Sequence, residues 1–227
     1  MQLLENIGRR CKRALRAYQN RQLMKRSSGI IHVGANEGQE RDMYAAFRLP
    51  VIWIEPIPAV FKKLSANISV YPDQRAFNYL VGDRDETPMV LNISNNGGLS
   101  SSVLSLAEHR DIWPEVDFNE KLELTAYTLD TIIEREMVAI EQYDSLVLDT
   151  QGSELDVLHG AVRTLQHIKL IKTEVADFEA YAGCARPETI APFLRDAGFY
   201  EKYREPFANH PRGGRYYDIT YVRAGES

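Results

Sequence analysis

From residue 28 onward, short β-branched runs alternate with stretches of helical spacing, and few folds satisfy that alternation. Two neighbouring strands can run parallel only if a crossover of about a dozen residues, usually a helix, joins them. Repeated strand–helix units therefore predict a doubly wound α/β sheet rather than a sandwich or a bundle. Strands are predicted at Ser28 to Val33, Val51 to Glu55, Arg75 to Val81, Tyr143 to Asp149 and Lys169 to Ala176. Helices are predicted at Glu37 to Phe47, Pro58 to Ile68, Glu154 to Leu165 and Pro187 to Ala197, the last stopped by Gly198. Phe199 to Tyr203 and Arg215 to Val222 read as closing strands, giving a mostly parallel sheet with a C-terminal antiparallel strand.

The middle is less regular. Pro88 to Ser94 and Leu122 to Thr125 read as extra extended pieces, and Asn95 to Ser102 as a polar loop whose Asn95, Ser100, Ser101 and Ser102 are candidate acceptor contacts. Leu104 to Asn119 has no clear period and is expected to be a lid, while Thr128 caps a helix running to about Val138.

At 227 residues, with no apolar run near the roughly 18 residues that span a bilayer, a single cytoplasmic domain is expected. Charge divides it. Residues 1–26 hold eight Arg or Lys against one acid, and the remainder is acidic by about −12. An acidic body argues against nucleic acid as a partner. Leu4, Ile7, Cys11, Leu15 and Tyr18 give residues 1–27 the spacing of an amphipathic, basic arm, resting on a membrane, on a second copy or on its own domain. Cys11 and Cys184 have no metal-ligand spacing, and no metal is expected.

Open parallel sheets bind ligands outside the carboxyl ends of their strands, at the point where the strand order reverses. The residues there are polar or glycine. After the first strand comes Gly34-Ala35-Asn36-Glu37-Gly38, where glycines let backbone approach a ligand. After the second, Glu55 precedes Pro56 and can accept both hydroxyl protons of a ribose. Gly82-Asp83 follows the third strand and is a candidate contact to a base ring, or a plain turn. Asp149, with Thr150-Gln151-Gly152-Ser153-Glu154, follows the fourth and belongs near a reacting centre. Glu174 lies in an otherwise apolar strand, where an unpaired charge is costly, so it needs a partner or a role. A third loop glycine and a G-x-x-x-x-G-K motif are both missing, which argues against pyrophosphate ligands and a nicotinamide dehydrogenase.

Three of these segments, in this order and spacing, resemble the FkbM-like methyltransferases: the strand ending in GANxG, the strand ending in Glu55-Pro56 with Pro58 two residues on, and Asp149-x-x-Gly152-x-Glu154-x-x-Val157-Leu158-x-Gly160. The resemblance spans about Ser28 to Val222. It implies a Rossmann-like fold, S-adenosyl-L-methionine as cofactor, and methyl transfer to a hydroxyl of a small-molecule or glycan acceptor. His32 departs from it, since such enzymes commonly carry an acid two residues before the first glycine to hold the cofactor's amino-acid end. Gln151 departs too, replacing a glutamate. Strand-end position and the resemblance together make His32, Gly34, Ala35, Asn36, Gly38, Glu55, Pro56, Gly82, Asp83, Asp149 and Gln151 the candidate cofactor contacts, and the chemistry of proton removal makes Asp149, Glu174 or His210 the candidate base. The two departures leave open a binding module without catalysis, acting through its basic helix.

Overall fold

The computed structural model describes residues 19–225. Helix α1 occupies 19–25. There follow β1 (Ile30–Val33), α2 (Arg41–Ala46), β2 (Val51–Ile54), α3 (Pro58–Ile68), β3 (Gln74–Phe77), β4 (Leu80–Val81), β5 (Thr87–Ser94), α4 (His109–Ile112) and β6 (Phe118–Tyr127). The second half comprises α5 (Leu129–Arg135), β7 (Ser145–Leu148), α6 (Glu154–His159), β8 (Leu170–Ala176), α7 (Pro187–Asp196), β9 (Phe199–Asn209) and β10 (Arg215–Arg223).

The main sheet has the order β3-β2-β1-β7-β8-β10-β9. Its first five strands are parallel, and β10 runs antiparallel to both β8 and β9. The strand order reverses between β1 and β7, which places a crevice at their carboxyl ends. Every residue of β1, β2 and β7 is buried, as a sheet covered on both faces requires. Alternation sorts them. Ile31, Ile52, Leu146 and Ile171 pack with Leu129, Val157 and Leu194 on one face, whereas Ile30, Val51, Trp53 and Val147 pack with Met24, Tyr44 and Leu64 on the other.

Met24 carries α1 into that second cluster, and Asn20 Nδ2 donates to Glu205 at 3.3 Å. This end of the basic arm therefore packs on its own sheet; residues 1–18 lie outside the described residues. No helix among the described residues is long and apolar enough to cross a membrane.

Several expectations are corrected. The third predicted strand is two strands: β3 stays in the main sheet, while β4 joins a second sheet of order β4-β6-β5. Between them Asn78 Nδ2 donates to the carbonyls of Glu55 (2.8 Å) and Pro56 (3.0 Å), satisfying acceptors that a continuing strand would have paired. The helix expected from Glu37 begins only at Arg41, because Asn36 (φ 45°) and Gly38 (φ 72°) hold left-handed backbone. The helix from Glu154 stops at Gly160, where an added Cβ would lie 2.2 Å from the Gly82 carbonyl. β9 continues six residues beyond Tyr203 and through Pro206, which an edge strand tolerates because its outward N–H needs no partner. The expected lid over 104–119 is a packed layer instead: α4 buries His109, whose Nδ1 lies 2.6 Å from the Tyr216 hydroxyl, and Leu106 bridges to Tyr181.

Candidate active site

The loop after β1 turns sharply because Gly34 (φ 80°), Asn36 and Gly38 each take left-handed backbone. Asn36 does more than turn. Its Oδ1 accepts the N–H of Glu37 (2.8 Å) and Gln39 Nε2 (3.0 Å), and its Nδ2 donates to the Gly97 carbonyl (3.3 Å), bracing the loop against the polar loop after β5.

Glu55, at the end of β2, is buried, and each carboxylate oxygen is held by one backbone N–H: Oε2 by Asn36 and Oε1 by Ile57, both at 2.9 Å. Burial raises its pKa to about 7, and these two donors limit the rise. Each oxygen keeps a lone pair for a further donor, so the side chain is oriented for a pair of hydroxyls. It lines a cavity of about 250 Å³, whose apolar side includes Ile57, Leu80, Val81 and Leu91. A carboxylate able to accept two hydroxyls, beside an apolar side able to take a flat ring, is the chemistry that the adenosine half of S-adenosylmethionine would need. Truncating Glu55 to alanine leaves two backbone donors without acceptors, at about 1–3 kcal/mol each. The expected result is a lowered Tm together with at least a roughly tenfold higher Kd for S-adenosylhomocysteine by calorimetry.

After β7 the backbone again enters left-handed space at Gln151 (φ 54°) and Gly152 (φ 107°). Glu154 shapes this loop: its buried carboxylate accepts the N–H groups of Thr150 and Gly152, each at 3.1 Å. Burial raises the Glu154 pKa to about 7. Gln151 is suspended between acids. Its Nε2 donates to Asp149 (2.6 Å) and reaches Glu174 (3.5 Å), while its Oε1 accepts the Tyr181 hydroxyl (2.8 Å). A glutamate here would crowd three carboxylates together; the amide instead supplies a donor to two. Burial raises Asp149 to about 6, against the lowering effect of the Gln151 bond, and burial with the neighbouring Asp149 charge pushes Glu174 well above the usual carboxylate range.

A second cavity, of about 490 Å³, adjoins the first; His32, Glu40 and Asp149 line both. Glu174, Phe207 and the Lys172–Asp218 ion pair (3.0 Å) also line it, as do Asn20, Arg21 and Met24 of α1. His32 is buried and stacked on Trp53 at 5.0 Å between ring centres, with Nδ1 3.4 Å from the Tyr44 hydroxyl. Burial lowers its pKa to about 4, so at neutral pH the ring carries no charge.

The structure thus gathers His32, Gly34, Ala35, Asn36, Glu55, Pro56, Asp149 and Gln151 around the first cavity and puts Glu174 beside Asp149. Gly38 stands behind the loop, where an added Cβ would come within 2.7 Å of Leu64. Like Gly38, three further expected site residues line neither cavity. Gly82 and Asp83 are turned away by the switch into the second sheet: Gly82 backs onto Gly160, and Asp83 is exposed beside Arg84 (3.4 Å). Tyr79, Leu80 and Val81, just before them, line the cavity instead. His210 lines neither cavity; it sits in the β9–β10 turn with Nε2 2.9 Å from Asp111 and its ring stacked on Phe178. Its neighbours Glu108 and Asp111 complete a cluster of metal-ligand types, yet Arg212 Nη2 already lies 2.5 Å from Asp111 and 3.5 Å from Glu108, supplying the positive charge. Of the polar loop, Ser101 lines the first cavity and Ser102 donates to the Gln151 carbonyl (2.8 Å), whereas Asn95 is spent on Glu115 and Asp117.

Glu40 and Tyr181 escaped the sequence reading. Glu40 sits among helix-favouring residues, and Tyr181 reaches the site only through tertiary packing, so neither has a local signature.

In overall shape the chain is similar to magnesium protoporphyrin IX methyltransferase from Synechocystis with bound S-adenosylhomocysteine (TM-score 0.46, 10% identity, 86% of this chain and 74% of that one). It is similar also to 1,6-didemethyltoxoflavin-N1-methyltransferase from Burkholderia thailandensis (TM-score 0.44, 10% identity, 86% of this chain and 70% of that one). In sequence it is 26% identical over 162 residues to the 2-O-methyltransferase NoeI of Sinorhizobium fredii, a match that covers 68% of this chain and spans 65% of that relative's length. The model of the methyltransferase FkbM domain matches residues 32–200, from the β1 histidine to the start of β9, and so takes in the loops at β1, β2 and β7 together with Glu174. Those loops build the site, and with them inside the match the chain belongs to the FkbM methyltransferase family.

Proposed function

We propose that the protein transfers the methyl group of S-adenosylmethionine to a hydroxyl oxygen of a small-molecule or glycan acceptor bound in the second cavity. One observation carries this reading: the two cavities meet at Asp149, a carboxylate poised near neutrality by its burial. S-adenosylmethionine, when bound, supplies an electrophilic methyl on a sulfonium that is already a good leaving group. The protein's part is to orient, exclude water and take up one proton. Glu55 and the loop after β1 hold the donor, and the enclosed junction keeps the reacting atoms together, the larger source of acceleration. An alcohol is a poor nucleophile, and Asp149 accepts its proton as the new carbon–oxygen bond forms.

The acidity of the second cavity favours an uncharged acceptor. Among the described residues that line it, the acids Glu40, Asp149 and Asp218 outnumber the bases Arg21 and Lys172, and Lys172 is already paired with Asp218, so an anionic acceptor meets like charge. An amine would enter but stay protonated among these acids, and a protonated nitrogen has no lone pair to attack with. A neutral hydroxylated molecule meets neither obstacle, and Phe207 and Met24 offer it an apolar surface.

The test is isotope-labelled methyl transfer by the full-length protein to a panel of neutral glycosides, their uronates, phenols and amines. Transfer to neutral hydroxylated acceptors is expected. Label appearing only in amines, or nowhere while S-adenosylhomocysteine binds, overturns the reading. Because Asp149 must be ionised to act, kcat is expected to rise with pH through about 6 and then level. The midpoint belongs to the Asp149–Glu174 pair jointly. A profile flat from pH 5 to 8 would remove the carboxylate base.

A further inference from the structure

We infer that Glu40 holds the ammonium group of the cofactor's amino-acid end. With the adenosine half of S-adenosylmethionine assigned to Glu55 and the apolar side of the first cavity, the amino-acid half is left to the remaining polar lining, which includes His32 and Glu40. An ammonium taken out of water needs an anion or several acceptors. The first cavity offers three carboxylates. Glu55 accepts the N–H groups of Asn36 and Ile57 and is taken up by the ribose hydroxyls, and Asp149 accepts Gln151 on Oδ1 at 2.6 Å and must keep its other oxygen for the acceptor's proton. Glu40 alone of the three accepts no hydrogen bond and forms no ion pair with its side chain among the described residues. It is half-buried at the first turn of α2, on the wall common to both cavities.

His32 cannot take this role by charge, because its ring is neutral and its Nδ1 is engaged with Tyr44. The negative charge that strand β1 lacks is therefore provided eight residues later, from the start of the next helix. Its field at the donor site is already felt: Glu40 favours the protonated forms of His32, Asp149 and Lys172.

The test compares two ligands on the full-length protein by calorimetry. S-adenosylhomocysteine carries the ammonium, and 5′-methylthioadenosine keeps the adenosine and the thioether but lacks the amino acid. Glu40→Gln, of equal size, is expected to raise the Kd of S-adenosylhomocysteine roughly 10- to 100-fold, the worth of one hydrogen bond to a charged group. The Kd of 5′-methylthioadenosine and the Tm of the unliganded protein should be unchanged. An unchanged Kd for S-adenosylhomocysteine overturns the assignment. Equal weakening of both ligands also overturns it, because the residue would then be shaping the loop rather than binding the ammonium.

Discussion

Asp149→Asn is expected to lower kcat roughly 10²- to 10⁴-fold, the contribution of a positioned base, while leaving the Kd of S-adenosylhomocysteine within about threefold of the parent. The asparagine has nearly the same shape and can still meet Gln151, but it cannot take a proton from the acceptor. The pH dependence of kcat near 6 should vanish with it, since the raised Asp149 pKa is what places a titration there. Steady-state kinetics with any acceptor found in the panel, from pH 5 to 8, supplies the check. Retention of full kcat would leave Asp149 as a structural acid and move the search for a base to Glu174, the other carboxylate in reach of Gln151.

Gly34→Ala is expected to cost both the fold and the cofactor. At φ 80° an alanine is in left-handed backbone, at about 1–2 kcal/mol. Its Cβ would also lie 1.9 Å from the Asp149 carbonyl oxygen, so β1 and β7 must part at the crevice. Together these place the substitution among the severe ones, at roughly 3–5 kcal/mol. For a domain of this size the Tm should fall by roughly 6–20 °C. Gly97→Ala is the internal control: its φ is 77°, but nothing lies within 4 Å of the added carbon, so only the dihedral cost remains. Melting curves of the two variants separate strain from collision. Equal losses would mean that the close approach of Gly34 to Asp149 has no energetic weight.

Local pattern was enough for most of the frame. Residue types that favour extended backbone, in buried runs such as Ile30–Val33 and Val51–Ile54, announced parallel strands, and the residues that follow them announced the crevice. Thr128 was legible as a cap, and its Oγ1 does accept the Thr131 N–H at 3.1 Å. Where the reading missed, long-range contacts had overruled local preference. The stretch Arg75 to Val81 has one continuous strand pattern, yet two sheets compete for it, and Asn78 resolves the competition by bonding to Glu55 and Pro56. Asp83 was lost from the site for that reason alone. His210 has the chemistry of a base, but the β9–β10 hairpin carries it to Asp111.

The sequence by itself determined the strand–helix order, the glycine turn after β1, and the carboxylates at the ends of β2 and β7, because each follows from backbone preference and periodicity over a few residues. Only the tertiary structure decided which polar groups share a wall. Charge at a point in space is summed over segments far apart in the chain, and Glu40, Asp149, Glu174 and Tyr181 become one site only once β1, β7 and β8 lie side by side and the loop holding Tyr181 folds over Gln151.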